Sequence, residues 1–491
     1  MEPIATASIL AIVGALLIVA ALVSQVSNRV GVPVLLIFLV IGMAAGSEGV
    51  AGLVFDDYAL AFRLGTMALV LILFDGGLNT PLASFRRALW PASLLATVGV
   101  VLTAAGLAGV ALLLGLPIEA AVLVAVVVSS TDAAAVFATL RSSGVRLRSR
   151  VGSILEVESG LNDPMAIVLT MAAAEWAMTG SAFGLGELVS LLAQFAIGVA
   201  GGLAAGFAGR TLLRVVQLPA TGLYPVLTIA LAFGTFGGVT LIGGSGFLAV
   251  YLAGLVLGKS PLPYRAGILR VQDALAWLAQ ILMFLVLGLL VFPSRLVPDA
   301  LLGVTLALAL TFLARPAAVL LTILPFRMPW RERAFLSLVG LRGAVPIVLG
   351  AYPVLVGVPF GERLFHLVFF IVLVSALVPG ATVSWLARRF KVTRAVLPEA
   401  PAGIDLVSAR DYAGEFIWYY VLPPAAVAGA AVHELPLPER CVIVLLVRGE
   451  EIIPARGNTT FAPGDHVCIF VNPEDRSLLD LMFGMTERDD D

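Results

Sequence analysis

Inside an otherwise apolar stretch the chain reads Glu158-Ser159-Gly160-Leu161-Asn162-Asp163-Pro164. Two carboxylates, an amide and a hydroxyl within one segment make an oxygen-rich cluster suited to a hard monovalent cation or a proton. Helical spacing puts Glu158 and Asn162 on one face, and Ser159 and Asp163 on its neighbour. Pro164 cannot donate to the carbonyl of Gly160, which leaves that oxygen free for an ion or a water. No histidine or cysteine lies nearby, so zinc is not the ligand these residues suit. An ionised group at mid-bilayer costs about 3 kcal/mol on insertion scales, and such residues usually serve ion paths or proton relays.

Three further polar groups interrupt apolar runs. Ser129-Ser130-Thr131-Asp132 places four short polar side chains together, and these compete with the helix for backbone hydrogen bonds. The local unwinding this predicts is tolerated at membrane depth only where backbone is buried in protein or lines a cavity. Arg342, in Leu341-Arg342-Gly343-Ala344-Val345-Pro346, stands alone in an apolar run and needs an anionic partner. Glu158 is the expected one, and the two read first as a structural ion pair. Pro346 frees the carbonyl of Arg342 and predicts a second break there. Asp75, in Phe74-Asp75-Gly76-Gly77, and Ser129 to Thr131 also have a plainer reading as interhelical hydrogen-bonding residues. His366 reads as a packing residue.

These groups must be positioned by apolar helices. The 491 residues are 60% hydrophobic and 13% charged, against about 25% charged in an average soluble domain. A mean hydropathy of +1.04 agrees with a polytopic membrane protein. Apolar runs separated by short polar breaks fall at roughly 4–26, 32–46, 58–79, 89–114, 118–140, 151–178, 186–213, 223–241, 245–258, 270–292, 298–324, 332–357 and 363–388. They predict thirteen transmembrane helices, with the first retained rather than cleaved as a leader. The two predicted breaks fall at comparable places in the six-helix halves on either side of the seventh run, a sign of inverted repeats.

Arginine and lysine sort to alternate loops. Arg86, Arg87, Arg141, Arg146, Arg148, Arg150, Lys259, Arg327, Arg331 and Arg388 fall on one side, while Arg295 and Arg363 fall on the other. The positive-inside rule then places the N-terminus outside and the C-terminus in the cytoplasm of a multi-pass cell-membrane protein. A net charge of −2 gives no sign of a nucleic-acid partner, and no phosphate-loop or dinucleotide fingerprint supports ATP-driven pumping. No cofactor and no enzymatic activity are expected. Cys441 and Cys468 read as reduced thiols. Beyond about Pro398 the composition turns mixed, with β-rich runs 416–422, 441–447, 451–454 and 466–471, turn signals at Gly449-Glu450 and Pro463-Gly464-Asp465, and a closing helix at 478–483. The fold class is therefore an all-α polytopic membrane protein with two broken helices, plus a small cytosolic α+β domain.

Together, Phe74-Asp75-Gly76-Gly77-Leu78, Ser130-Thr131-Asp132, the segment from Glu158 to Pro164, and Arg342 to Pro346 resemble the monovalent cation:proton antiporter superfamily in its NhaP-type branch. The resemblance covers roughly residues 1–390 and implies thirteen helices, a homodimer, and crossed broken helices that move against a dimerisation scaffold. It implies that Asp163 is the cation and proton ligand, that Asp132 and Ser159 help bind the ion, and that Thr131 contributes its backbone or hydroxyl at the crossing. Glu158 would pair with Arg342. Asn162 holds the place of a second aspartate in the electrogenic branch, which argues for electroneutral exchange of one cation for one proton. Asp75 stands where the family often has glutamate, and is an accessory candidate. The tail, through Arg448-Gly449-Glu450, Ile453 to Gly457, and Pro463-Gly464-Asp465, resembles the C-terminal lobe of the potassium-conductance regulator fold, a TrkA-C-like regulatory domain able to take a small ligand. The expected domains are 1–392 for transport and 402–485 for regulation. Potassium is favoured over sodium by this association, with membrane lipid as the surroundings. A ligand-gated monovalent cation channel is the rival reading.

Overall fold

The computed structural model describes residues 2–30, 34–180, 184–260, 262–394, 414–423, 425–438, 441–472 and 474–483. The helical unit begins with α1 (Glu2–Val30), α2 (Val34–Ala45) and α3 (Tyr58–Asn79). Next come α4 (Leu82–Leu94), a π-helical turn at Leu95–Gly99 and α5 (Val100–Leu113), then the short helices α6 (Ile118–Val127) and α7 (Ala133–Ser142). A two-residue strand β1 (Arg146–Leu147) leads into α8 (Ser149–Thr179), α9 (Leu185–Val215), α10 (Leu223–Leu241), α11 (Gly246–Gly258) and α12 (Arg265–Leu289). After α13 (Pro293–Leu296), α14 (Ala300–Ala309) runs through a second π turn at Leu310–Ala314 into α15 (Arg315–Ile323). The unit closes with α16 (Trp330–Leu338), α17 (Ala344–Leu355), α18 (Gly361–Arg389) and β2 (Thr393–Arg394), which pairs antiparallel with β1.

Every predicted apolar run has a helix or a pair of helices at its place. Among the described residues seven segments are long and apolar enough to cross a membrane, within 58–79, 85–113, 188–215, 223–241, 265–289, 293–323 and 361–389. Shorter apolar helices accompany them. α8 is as long, but its centre carries the polar residues of the site. Unbroken helices satisfy their own backbone groups, as lipid demands; the short pairs α6/α7 and α16/α17 do not, and they are buried inside the unit. Glycines let the packing close. A Cβ on Gly202 would stand 2.6 Å from the carbonyl oxygen of Ala249, which brings α9 against α11 at the predicted Gly198-Gly202-Gly206 stripe.

The C-terminal unit is a four-stranded antiparallel sheet in the order β3 (Glu415–Tyr420), β6 (Asp465–Val471), β4 (Val442–Arg448) and β5 (Glu451–Ile453), closed by α19 (Arg476–Phe483). Tyr419, Leu446, Val467, Ile469, Leu479 and Phe483 are its core. Gly449, with φ +63°, makes the tight turn between β4 and β5. The expected linker and the first residues of the predicted 402–485 domain lie outside the described residues, as do residues 484 and 485. At the other boundary, β2 carries the helical unit two residues beyond the predicted limit of 392.

Candidate cation site

The site is built where two unwound segments meet. α6 stops at Val127 and α7 starts at Ala133, so Ser129-Ser130-Thr131-Asp132 is non-helical, as its composition predicts. α16 stops at Leu338 and α17 starts at Ala344, leaving 339–343 unwound. The Asp132 N–H donates to the carbonyl of Leu341 at 2.8 Å, tying one segment to the other. The second break thus takes in Arg342, where the missing donor of Pro346 predicts it. Pro346 is the third residue of α17, where its missing N–H costs no helical hydrogen bond. The flanking glycines explain the position. A Cβ on Gly343 would overlap the Asp132 carboxylate, and one on Gly340 would press on Arg315 and Thr131.

Charge follows the helix ends. Asp132 caps α7 by accepting from the Ala135 N–H at 3.0 Å, and its carboxylate also lies over Gly343, the cap of α17. Two positive helix ends therefore face one carboxylate. Arg342 supplies the counterpart: its Nη1 donates to the carbonyl of Ser129 at 2.8 Å and to that of Ser130, just past the negative end of α6. Its own N–H donates to Ser375 Oγ of α18 at 3.0 Å.

α8 brings the remaining oxygens. Ser159 Oγ donates to the carbonyl of Thr131 at 2.9 Å and accepts from the Ala133 N–H at 3.2 Å. Asn162 Nδ2 donates to Thr131 Oγ1 at 2.7 Å. Asp163 lies within Coulombic range of Asp132. Five of the predicted site residues, Thr131, Asp132, Ser159, Asn162 and Asp163, are thus gathered on α8 and the first unwound segment. Thr131 and Asn162 are fully buried, while Asp132, Ser159 and Asp163 are partly buried. Two buried oxygens, Ser130 Oγ beside the Asp163 carboxylate and Asn162 Oδ1, make no well-aligned hydrogen bond. Carboxylate, hydroxyl, amide and carbonyl oxygens converging this way can hold a hard cation, and a carboxylate among them can take a proton instead.

The expected pairing of Glu158 with Arg342 is corrected. Glu158 Oε1 lies 2.6 Å from Arg315 Nη2, with both side chains at most 2% exposed, while Arg342 stays within Coulombic range of Glu158 and donates to the α6 carbonyls. Glu158 and Asn162 share a face of α8, and α15 rather than the second break meets that face at Glu158. Arg315 was missed, although a lone arginine in Leu313-Ala314-Arg315-Pro316-Ala317 is the same signal that singled out Arg342. Helix α8 runs unbroken through Pro164. Asp75 is not brought to the crossing: it accepts from Asn79 Nδ2 at 2.9 Å and lies within Coulombic range of Asp273 of α12.

The transmembrane sodium/hydrogen exchanger family matches residues 14–389. The chain belongs to that family. The TrkA-C domain matches residues 416–484, on the four-stranded sheet and α19. The family member named K(+)/H(+) antiporter NhaP of Alkalimonas amylolytica is 39% identical over 94% of this chain and 81% of its own length. The K(+)/H(+) antiporter NhaP2 of a Shewanella species, strain ANA-3, is 41% identical over 96% and 83%. The solved structure of the sodium proton antiporter MjNhaP1 from Methanocaldococcus jannaschii aligns with a TM-score of 0.68 over 79% of this chain and 99% of that one. At 22% identity it shows a common fold.

Proposed function

We propose that the chain is a secondary active antiporter that exchanges a monovalent cation, potassium in preference to sodium, for protons by alternating access. The observation that carries this reading is the partly buried pair Asp132 and Asp163 at the contact of two unwound segments, surrounded by fully buried partners. Unwound helices around carboxylates at the centre of a helical membrane unit are the arrangement on which secondary transporters rock. The Alkalimonas and Shewanella relatives, named as potassium:proton antiporters, favour potassium.

Charge at the crossing supports an exchange of one cation for one proton. Asp132 faces the N-terminal ends of α7 and α17, Glu158 is paired with Arg315, and Asp163 faces Asp132 and Ser130. One cation or one proton on Asp163 makes the group neutral, and either load lets it cross. The empty, charged site resists crossing because a bare charge is costly to desolvate. Asn162 keeps the count at one by presenting an amide where a further acid would add a charge. In this reading residues 1–392 cross a cell membrane thirteen times as inverted repeats, with the N-terminus outside by the basic-loop bias. The protein is a homodimer. The cytoplasmic domain, 402–485, biases transport by binding a small ligand differently in two states.

The test is proton flux in proteoliposomes under an imposed pH gradient, with potassium or sodium added, for the parent and Asp163→Asn. Flux driven by potassium and absent in the variant is expected. Equal flux in a folded variant overturns the role of Asp163, and current without coupled proton movement overturns antiport.

A further inference from the structure

Glu156 takes no part in the crossing, yet it shares a face of α8 with Gly160 and Asp163 at spacings of four and three residues. It precedes Asp163 by about 10 Å along the helix axis. Thr80, which caps α3, has its Oγ1 3.3 Å from Glu156 Oε1 and 2.7 Å from the carbonyl of Gly76. The hydroxyl has one proton to share between the Gly76 carbonyl and Glu156, so its contact to Glu156 is the weaker of the two. Tyr251 of α11 brings a third oxygen, its hydroxyl facing both Thr80 and Glu156. The Tyr251 ring lies on Gly160, where a Cβ would stand 2.5 Å from two ring carbons and 2.9 Å from the hydroxyl oxygen.

That hydroxyl is the informative atom. Tyr251 is 2% exposed, and its oxygen, although near Thr80, makes no well-aligned hydrogen bond. Burying an unsatisfied hydroxyl costs about 1–3 kcal/mol, a cost that phenylalanine at the same place would avoid. Packing therefore does not account for it. Three oxygens from α3, α8 and α11 converge on the face of α8 that leads to Asp163, beside the C-terminal carbonyls of α3, an end that favours cations. Glu156 is half-buried, so the cluster is reachable.

We infer that Glu156, Thr80 and Tyr251 form a second site for the transported monovalent cation, occupied before Asp163. One carboxylate with two hydroxyls matches a single positive charge and carries too few anionic ligands for a calcium-like ion. The inference rests on the antiport reading, because it concerns that cation's route.

The experiment is flux in proteoliposomes across a range of concentrations of whichever ion drives the parent, with thermal unfolding of each variant. Tyr251→Phe unfolds no lower than the parent but raises the half-saturating concentration about threefold, the size of one lost neutral hydrogen-bond-like contact. Glu156→Gln raises it about tenfold, as expected for a contact to a charged group, and Glu156→Asp recovers most of the loss. Unchanged half-saturation in Tyr251→Phe and Glu156→Gln beside an active parent overturns the second site alone. If Glu156→Gln does not fold, Tyr251→Phe decides. A parent without coupled flux overturns both readings.

Discussion

Two sets of charges within a few residues of each other are treated in opposite ways. Glu158, Arg315 and Arg342 are sealed, each at most 2% exposed and matched to an opposite charge or to helix-end carbonyls. Asp132 and Asp163 are less completely sealed, each only partly buried. The difference teaches that burial, rather than charge alone, separates the scaffold from the site. A sealed pair fixes geometry because neither partner can leave without exposing the other to a low-dielectric interior. An accessible acid can exchange its counter-charge.

The largest effect follows from breaking the sealed set. Glu158→Gln leaves Arg315 buried without its anion, a change that destabilises by about 3–5 kcal/mol. Arg315→Gln does the same to Glu158. The double substitution Glu158→Gln with Arg315→Gln removes both charges and recovers much of that loss. Unfolding midpoints of the purified protein check this. Single and double variants of equal stability would show that the pair does not hold the fold. Asp163→Asn provides the contrast, with exchange lost and the midpoint unchanged or raised.

That contrast was only partly readable in the sequence. The polar runs at 129–132 and 158–163 stand out because short polar side chains interrupt apolar helices, and their spacing already groups Ser159 with Asp163. Which lone arginine meets Glu158 was not readable, since the choice depends on which helix crosses α8 at that level. Pro346 pointed to the second break, because a proline in a first helical turn needs no donor and marks where α17 can begin. Gly340 and Gly343 shape it as well, through contacts with Arg315, Thr131 and Asp132 that are hundreds of residues away or on another segment. The tail strands were legible to within one or two residues because alternation and the turns at Gly449 and Gly464 are local signals.

An intermediate effect probes the boundary between the two sets. Gly343→Ala puts a methyl group against the Asp132 carboxylate, and the carboxylate must shift. Overpacking of this kind costs about 1–3 kcal/mol. Exchange should fall by more than that cost explains, because the displaced group is the one that faces both helix N-termini. The ratio of flux to folded protein measures it. A ratio equal to the parent's would mean that the placement of Asp132 is immaterial to transport.

The smallest effect lies in the C-terminal sheet, where the same contrast between sealed and open recurs in two thiols. Cys468 is fully buried on β6, and Cys441 is half-buried. Burial is the leading cause that pushes both thiols up to about 11 from an ordinary value of 9, with the Asp475 carboxylate adding to the effect at Cys441. A raised folded pKa means the folded state holds the proton more tightly than the unfolded one. The stabilisation is therefore complete below about pH 9 and is lost as pH rises toward 11. At pH 8 alkylation should be slow at both positions. Raising the pH to 10 should speed labelling of Cys441, while Cys468 reacts only as the sheet opens. Fast labelling of Cys468 at pH 8, with the sheet intact by circular dichroism, would show that its burial does not restrain it.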